Sequence, residues 1–206
     1  MKDKPLRLFI LLFVFSLVSL PRAIAEDSFR LSEIAFGTGY AFGDLKYLGD
    51  LDPAGYDLVR EEDDFNVIPF FVSFGYGLNS AIGIEEHRGD LLFGLEPFIN
   101  LISKPDDNVE AGLALFLKYD YPVTEKTDIY LEALAGPMYF GSDTKLQGDR
   151  GFAFLDQVGT GVKWHFADDK SVNLGYRFRH ISNAGLREPN KAINSHAIII
   201  SLSKYY

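Results

Sequence analysis

The chain has no cysteine, which excludes a disulfide framework, a zinc–thiolate site, a thiol nucleophile and the lipid-acceptor cysteine of a lipoprotein. Cations are few: 20 Lys and Arg stand against 29 Asp and Glu, for a formal charge of −9. With no basic cluster, that balance argues against a nucleic-acid partner. There are only two Met and one Trp. Past residue 20 no apolar run approaches the roughly 20 residues that a membrane-spanning helix needs. What the chain does have is 18 Phe, 11 Tyr and 19 Gly in 206 residues. Together with 47% hydrophobic residues, this excludes a disordered chain and suggests β-structure.

The first 25 residues read as a leader rather than as part of the fold. Lys2, Lys4 and Arg7 precede an apolar run from Leu8 to Leu20. Pro21 ends the run, and Ala23-Ile24-Ala25 supplies small residues where a signal peptidase reads. Cleavage after Ala25 removes four positive charges and one negative, which takes the formal charge from −9 to −12. Residues 26–206 then form a single exported domain.

That domain alternates with period two in eight segments: 30–42, 65–77, 91–102, 109–121, 129–140, 152–166, 172–182 and 195–206. In the second segment Ile68, Phe70, Val72, Phe74 and Tyr76 share one face. In the fourth, Val109, Ala111, Leu113, Leu115, Leu117, Tyr119 and Tyr121 oppose Glu110, Gly112, Lys118 and Asp120. A soluble sandwich buries such an apolar face against a second sheet. A small barrel turns it to lipid and packs the polar and glycine face inside. Export, an even strand number, a terminal Tyr206 and aromatics near strand ends favour the barrel. The expected fold is therefore all-β, an eight-stranded antiparallel transmembrane β-barrel of the outer membrane. Glu96, Glu110, Glu132, Lys118 and Arg177 are expected inside it. Short turns fall at 122–126 and 167–170, with a longer one at 78–90. The other connections, at 43–64, 103–108, 141–150 and 184–193, face outward, the first with the acidic run Glu61-Glu62-Asp63-Asp64.

The seventh segment breaks the pattern. Its lipid-side parity continues from Phe178 to His180 and Ser182. These Cα atoms lie about 6.6 Å apart at the rise of an extended strand. A nucleophilic Ser needs a base within reach, and the base needs an orienting partner. By the same parity Asp156, Asn194 and His196 converge on this patch. Polar rim residues beside wet headgroups are the competing explanation.

The stretch His180-Ile181-Ser182-Asn183-Ala184-Gly185, followed by Pro189-Asn190, closely resembles the signature of the lipid A 3-O-deacylases of the PagL type. The stretch Phe154-Leu155-Asp156-Gln157-Val158-Gly159-Thr160-Gly161 resembles the family's segment just before it. The resemblance implies an outer-membrane serine esterase that removes an ester-linked 3-hydroxyacyl chain from lipid A of lipopolysaccharide, its substrate and partner. It implies Ser182 as nucleophile and His180 as general base. Asn183 and the backbone N–H groups of Ala184 and Gly185 would form the oxyanion hole. The family's best characterised pattern places a Glu 14 residues after the His, where this chain has Asn194. Asn194 or Asp156 then takes the third role. No cofactor and no metal are implied, His87 and His165 are read as structural, and a homodimer is left open. Arg179, Arg187 and Lys191 are rim cations for an anionic headgroup. The competing class is a non-enzymatic small barrel, structural or adhesive, kept open by Asn194 in place of an acid.

Overall fold

The computed structural model describes residues 30–48 and 60–206. The expected leader, 1–25, lies outside the described residues. Eight strands follow in order: β1 (Leu31–Leu48), β2 (Arg60–Gly77), β3 (Asp90–Lys104), β4 (Asn108–Thr124), β5 (Thr127–Phe140), β6 (Gly151–Ala167), β7 (Lys170–Ser182) and β8 (Ile193–Tyr205). One short helix, α1 (Asn79–Ile82), lies between β2 and β3. Each strand pairs antiparallel with its sequence neighbour, and β1 pairs with β8 from Glu33↔Tyr205 to Gly43↔Ser195. The sheet is thus a closed barrel with no free edge. The turns Glu125-Lys126 and Asp168-Asp169 are two residues each, and residues 78–89, with α1, make the third connection at the same end; the opposite end, the loop end, carries residues 105–107, 141–150 and 183–192.

The first outward connection is shorter than the alternation predicts. The β1–β2 ladder runs on to Leu48↔Arg60, so Glu61, Glu62, Asp63 and Asp64 belong to β2 and not to a loop. The reason is physical: past the lipid a strand no longer needs an apolar outer face, so its alternation fades while its backbone pairing continues. Asp64 is tied across to the end of β3 by Lys104, at 2.6 Å.

Alternation decides inside from outside throughout. Phe36, Ile99, Leu117, Leu131, Val158, Leu174 and Ile200 are exposed on the wall, a belt whose natural solvent is lipid. The inward parity stacks buried charges in tiers. Nearest the termini, Lys163 bridges Glu33 at 3.1 Å and Asp120 at 2.5 Å, while Lys118 meets Glu33 at 2.5 Å. Above them Arg177 binds Glu96 at 2.6 Å and Glu132 at 2.7 Å. Higher still Arg179 pairs with Glu110, which also accepts from Asn100 at 2.8 Å. The five interior charges expected from parity are all there. Arg179 is the exception to an expectation: it is 1% exposed inside the barrel and is no rim cation. It lies one residue from His180, so it must point to the opposite face.

At the loop end the interior turns apolar. Phe65, Val67, Ile102, Met138, Phe140, Leu155, Ile181 and Ile193 form a buried cluster there. Where the wall leaves the lipid, ordinary burial resumes, and this core closes the barrel beneath the loops. Inside, Gly161 and Gly175 leave space for the Tyr130 ring; a Cβ at Gly161 would lie 2.5 Å from its hydroxyl, and one at Gly175 would overlap it. Gly175→Val should therefore destabilise the barrel by about 1–3 kcal/mol, as overpacking does. A lowered urea midpoint in lipid vesicles is the expected readout, and an unchanged midpoint would show that Tyr130 moves freely.

Candidate active site

The patch forms because three adjacent strands carry polar residues on their outward faces at one height. The β6–β7 ladder places Asp156 opposite His180, and the β7–β8 ladder places Asn194 opposite His180 from the other side. His180 Nδ1 lies 2.8 Å from Asn194 Oδ1. Ser182 is two residues further along the same face, opposite Phe154. His180 and Ser182 are half-buried, and Asp156 and Asn194 are exposed. Directly behind this wall Leu155, Ile181 and Ile193 are packed at 0–1% exposure. The outward side chains are therefore mounted on the tightest part of the core.

His196 shares the face but joins a different group. Its Nδ1 is 2.6 Å from the Tyr176 hydroxyl, and its ring lies 5.6–5.9 Å from those of Phe42, Tyr176 and Phe178. It belongs to the aromatic wall below His180. His165 pairs with Asp128 at 2.7 Å, on the opposite end of β6, and His87 lies in the connection between β2 and β3.

Asn183 differs from its expected place. Alternation turns it inward after Ser182, and it is fully buried. Its side-chain amide donates to the Pro189 carbonyl at 3.0 Å, and its Oδ1 accepts from the Gly185 N–H at 3.0 Å. Its own N–H donates to Asn190 Oδ1 at 2.9 Å, and its carbonyl accepts from Leu186 N–H at 3.0 Å. Asn183 thus staples the loop it begins. From Asn183 to Leu186, the Ala184 N–H is left without a hydrogen-bond partner among the described residues. Ala184 has φ +54° and Gly185 φ +72°. Ala in the left-handed region is uncommon and costs about 1 kcal/mol, a strain often met where backbone groups are aimed at a ligand.

The sequence places the 141–150 connection on the outside but gives it no part in the site. Asp143 and Arg150 clasp its base at 2.8 Å, and Thr144 and Gly148 bridge each other by two backbone bonds. The Arg150 hydrogen bonds hold the Asp143 carboxyl below its usual range, so the clasp stays charged. No periodicity marks such a loop, and its residue types are those of any turn.

A family model described as lipid A 3-O-deacylase (PagL) matches residues 68–203, more than half of the chain. Among solved structures, that of the outer membrane enzyme PagL superposes with a TM-score of 0.51 at 17% identity. The match covers 82% of this chain and 98% of that one. The structure of Neisserial surface protein A superposes with a TM-score of 0.54 at 17% identity, over 84% of this chain and 97% of that one. At such identity the two structures speak for the barrel fold alone. Comparison with curated proteins finds no match. The motif, the eight-stranded barrel and the extent of the family match lead to one conclusion: the chain belongs to the lipid A 3-O-deacylase (PagL) family of outer-membrane barrels.

Proposed function

We propose that the protein, exported by its leader, hydrolyses the ester that holds a 3-hydroxyacyl chain on lipid A, with Ser182 as nucleophile. The observation that carries this reading is the His180–Asn194 hydrogen bond beside Ser182 on the lipid-facing wall. With Nδ1–H donated to Asn194, Nε2 is the basic nitrogen left to serve Ser182, two residues along the same face. Nε2 accepts the Ser182 proton as Oγ attacks the ester carbonyl. The oxyanion that develops is met by the Ala184 N–H, the donor the loop leaves unspent. The imidazolium then returns the proton to the departing sugar oxygen, which leaves an acyl-Ser182. Water, deprotonated by the same nitrogen, releases the hydroxy acid and restores the serine.

A site on the outside wall suits this substrate, because the acyl chains already lie beside the barrel. Mass spectrometry of lipid A from cells with and without the protein tests the reading. Loss of one hydroxyacyl mass is expected, and an unchanged profile would favour a second reading, a non-enzymatic barrel. What supports that second reading is Asn194 itself, which aligns an imidazole but cannot stabilise its charge.

The third role is separable by substitution. Asn194→Ala should lower kcat by about tenfold or more, since positioned acid–base help is worth about 10²–10⁴. Asn194→Glu should leave the rate unchanged or raise it. Asp156→Asn should cost less than Asn194→Ala, because Asp156 faces His180 only across the ladder. Should Asp156→Asn cost far more in a detergent assay, the carboxylate is the third member.

A further inference from the structure

The reactive loop does not stand by itself. The 141–150 loop folds against it through Gln147, which is completely buried although it sits in a loop. The Gln147 amide donates to the Lys191 carbonyl. The Gln147 backbone carbonyl accepts from Arg187 Nε at 3.2 Å, and the Leu146 carbonyl accepts from Lys191 N–H at 2.7 Å. A Cβ at Gly148 would stand 3.2 Å from Pro189 Cδ, so the two loops are in close contact. Lys191 adjoins Asn190, whose side chain holds the Asn183 N–H, and Asn183 follows Ser182 directly. A short path of bonds therefore runs from Gln147 to the backbone beside the nucleophile.

The junction is not built for stability. Gln147 Oε1 and Arg187 Nη2 are both buried there without a hydrogen-bond partner. Each such group costs free energy that an apolar residue of the same size would avoid. Polar groups kept at that cost are expected where a geometry must be specified.

We propose that Gln147 is a positioning residue for the deacylation reaction: its amide holds Lys191 and Asn190 so that the backbone from Asn183 to Gly185 keeps its place beside Ser182. This rests on the reading of Ser182 as nucleophile. Gln147→Met keeps the volume and removes the donor. In the purified full-length protein it should lower kcat by about tenfold with KM within about twofold, because misplaced catalytic groups cost rate rather than binding. The rate at which a fluorophosphonate labels Ser182 should fall in parallel, while the urea midpoint stays at the wild-type value. Unchanged kcat and labelling would overturn the proposal, and so would a loss of activity that tracks a lowered midpoint. If wild type neither deacylates nor labels, the functional reading fails instead. Hydrogen exchange then still tests the contact: the Asn183 amide should exchange faster in Gln147→Met, and equal exchange would overturn it.

Discussion

Ser182→Ala should abolish lipid A deacylation, by on the order of 10⁴-fold or more, and leave a folded barrel. The expectation of intact folding comes from place. Ser182 is half-buried on the outward face, contributes nothing to the apolar cluster behind it, and is the last residue of β7. Removing one hydroxyl there opens no core cavity. The expectation of a large kinetic loss comes from role: without Oγ no acyl-enzyme forms, and water must attack an ester unaided. His180→Ala should cost nearly as much, and the double variant little more than either alone, because nucleophile and base act as one unit. The two measurements are kcat in detergent and the heat-dependent gel shift of the folded barrel. Full activity in Ser182→Ala would refute the nucleophile assignment. A lost gel shift would refute the claim that the site is mounted on the wall rather than built into the core.

Arg177→Met should give the largest loss of stability, about 3–5 kcal/mol. Arg177 lies at the centre of the barrel, 5% exposed, and spans Glu96 and Glu132 at 2.6 and 2.7 Å. Its guanidinium also lies 4.6 Å from the Phe71 ring. Deleting it leaves two buried carboxylates facing each other with no counter-charge, which is far costlier than never having buried the cluster. The triple variant Arg177→Met with Glu96→Gln and Glu132→Gln should recover most of the loss, since no unpaired charge remains. Urea unfolding in lipid vesicles reads both. If the single variant unfolds at the wild-type midpoint, the interior charges are solvated and the packed interior described above is wrong. Catalysis in the surviving folded fraction should be near normal, because Arg177 and the site point to opposite faces of β7.

Much of this molecule is legible without coordinates, because a barrel wall imposes a strict period of two. Parity alone separates Phe178, His180 and Ser182 from Arg177 and Arg179. It assigns the interior charges, and counting back around the tight turn at 167–170 brings Asp156 to within a residue of His180; the shift at His165/Ala167 that sets the final register, and the β7–β8 ladder that sets Asn194 opposite His180, are features of the pairing. Parity also contradicts two expectations taken from residue type. Arg179 reads as a headgroup cation until its parity places it inside, and Asn183 reads as an oxyanion donor although it must turn inward after Ser182.

The tertiary structure decided what no period encodes. Strand ends above the lipid lose their alternation, so the continuation of β1 and β2 to Leu48↔Arg60 could come only from backbone pairing. The apolar core at the loop end reverses the polar interior expected of a small barrel, because burial there is set by the surrounding water and not by lipid. The loop geometry is likewise a matter of contacts. Asn183 spends its amide on Pro189, Asn190 closes on the Asn183 N–H, and Gln147 reaches in from a distant turn. A sequence shows which side of a wall a residue occupies, since covalent geometry alternates the side chains. It does not show which loops meet above the wall, since that depends on packing between segments separated by some 40 residues.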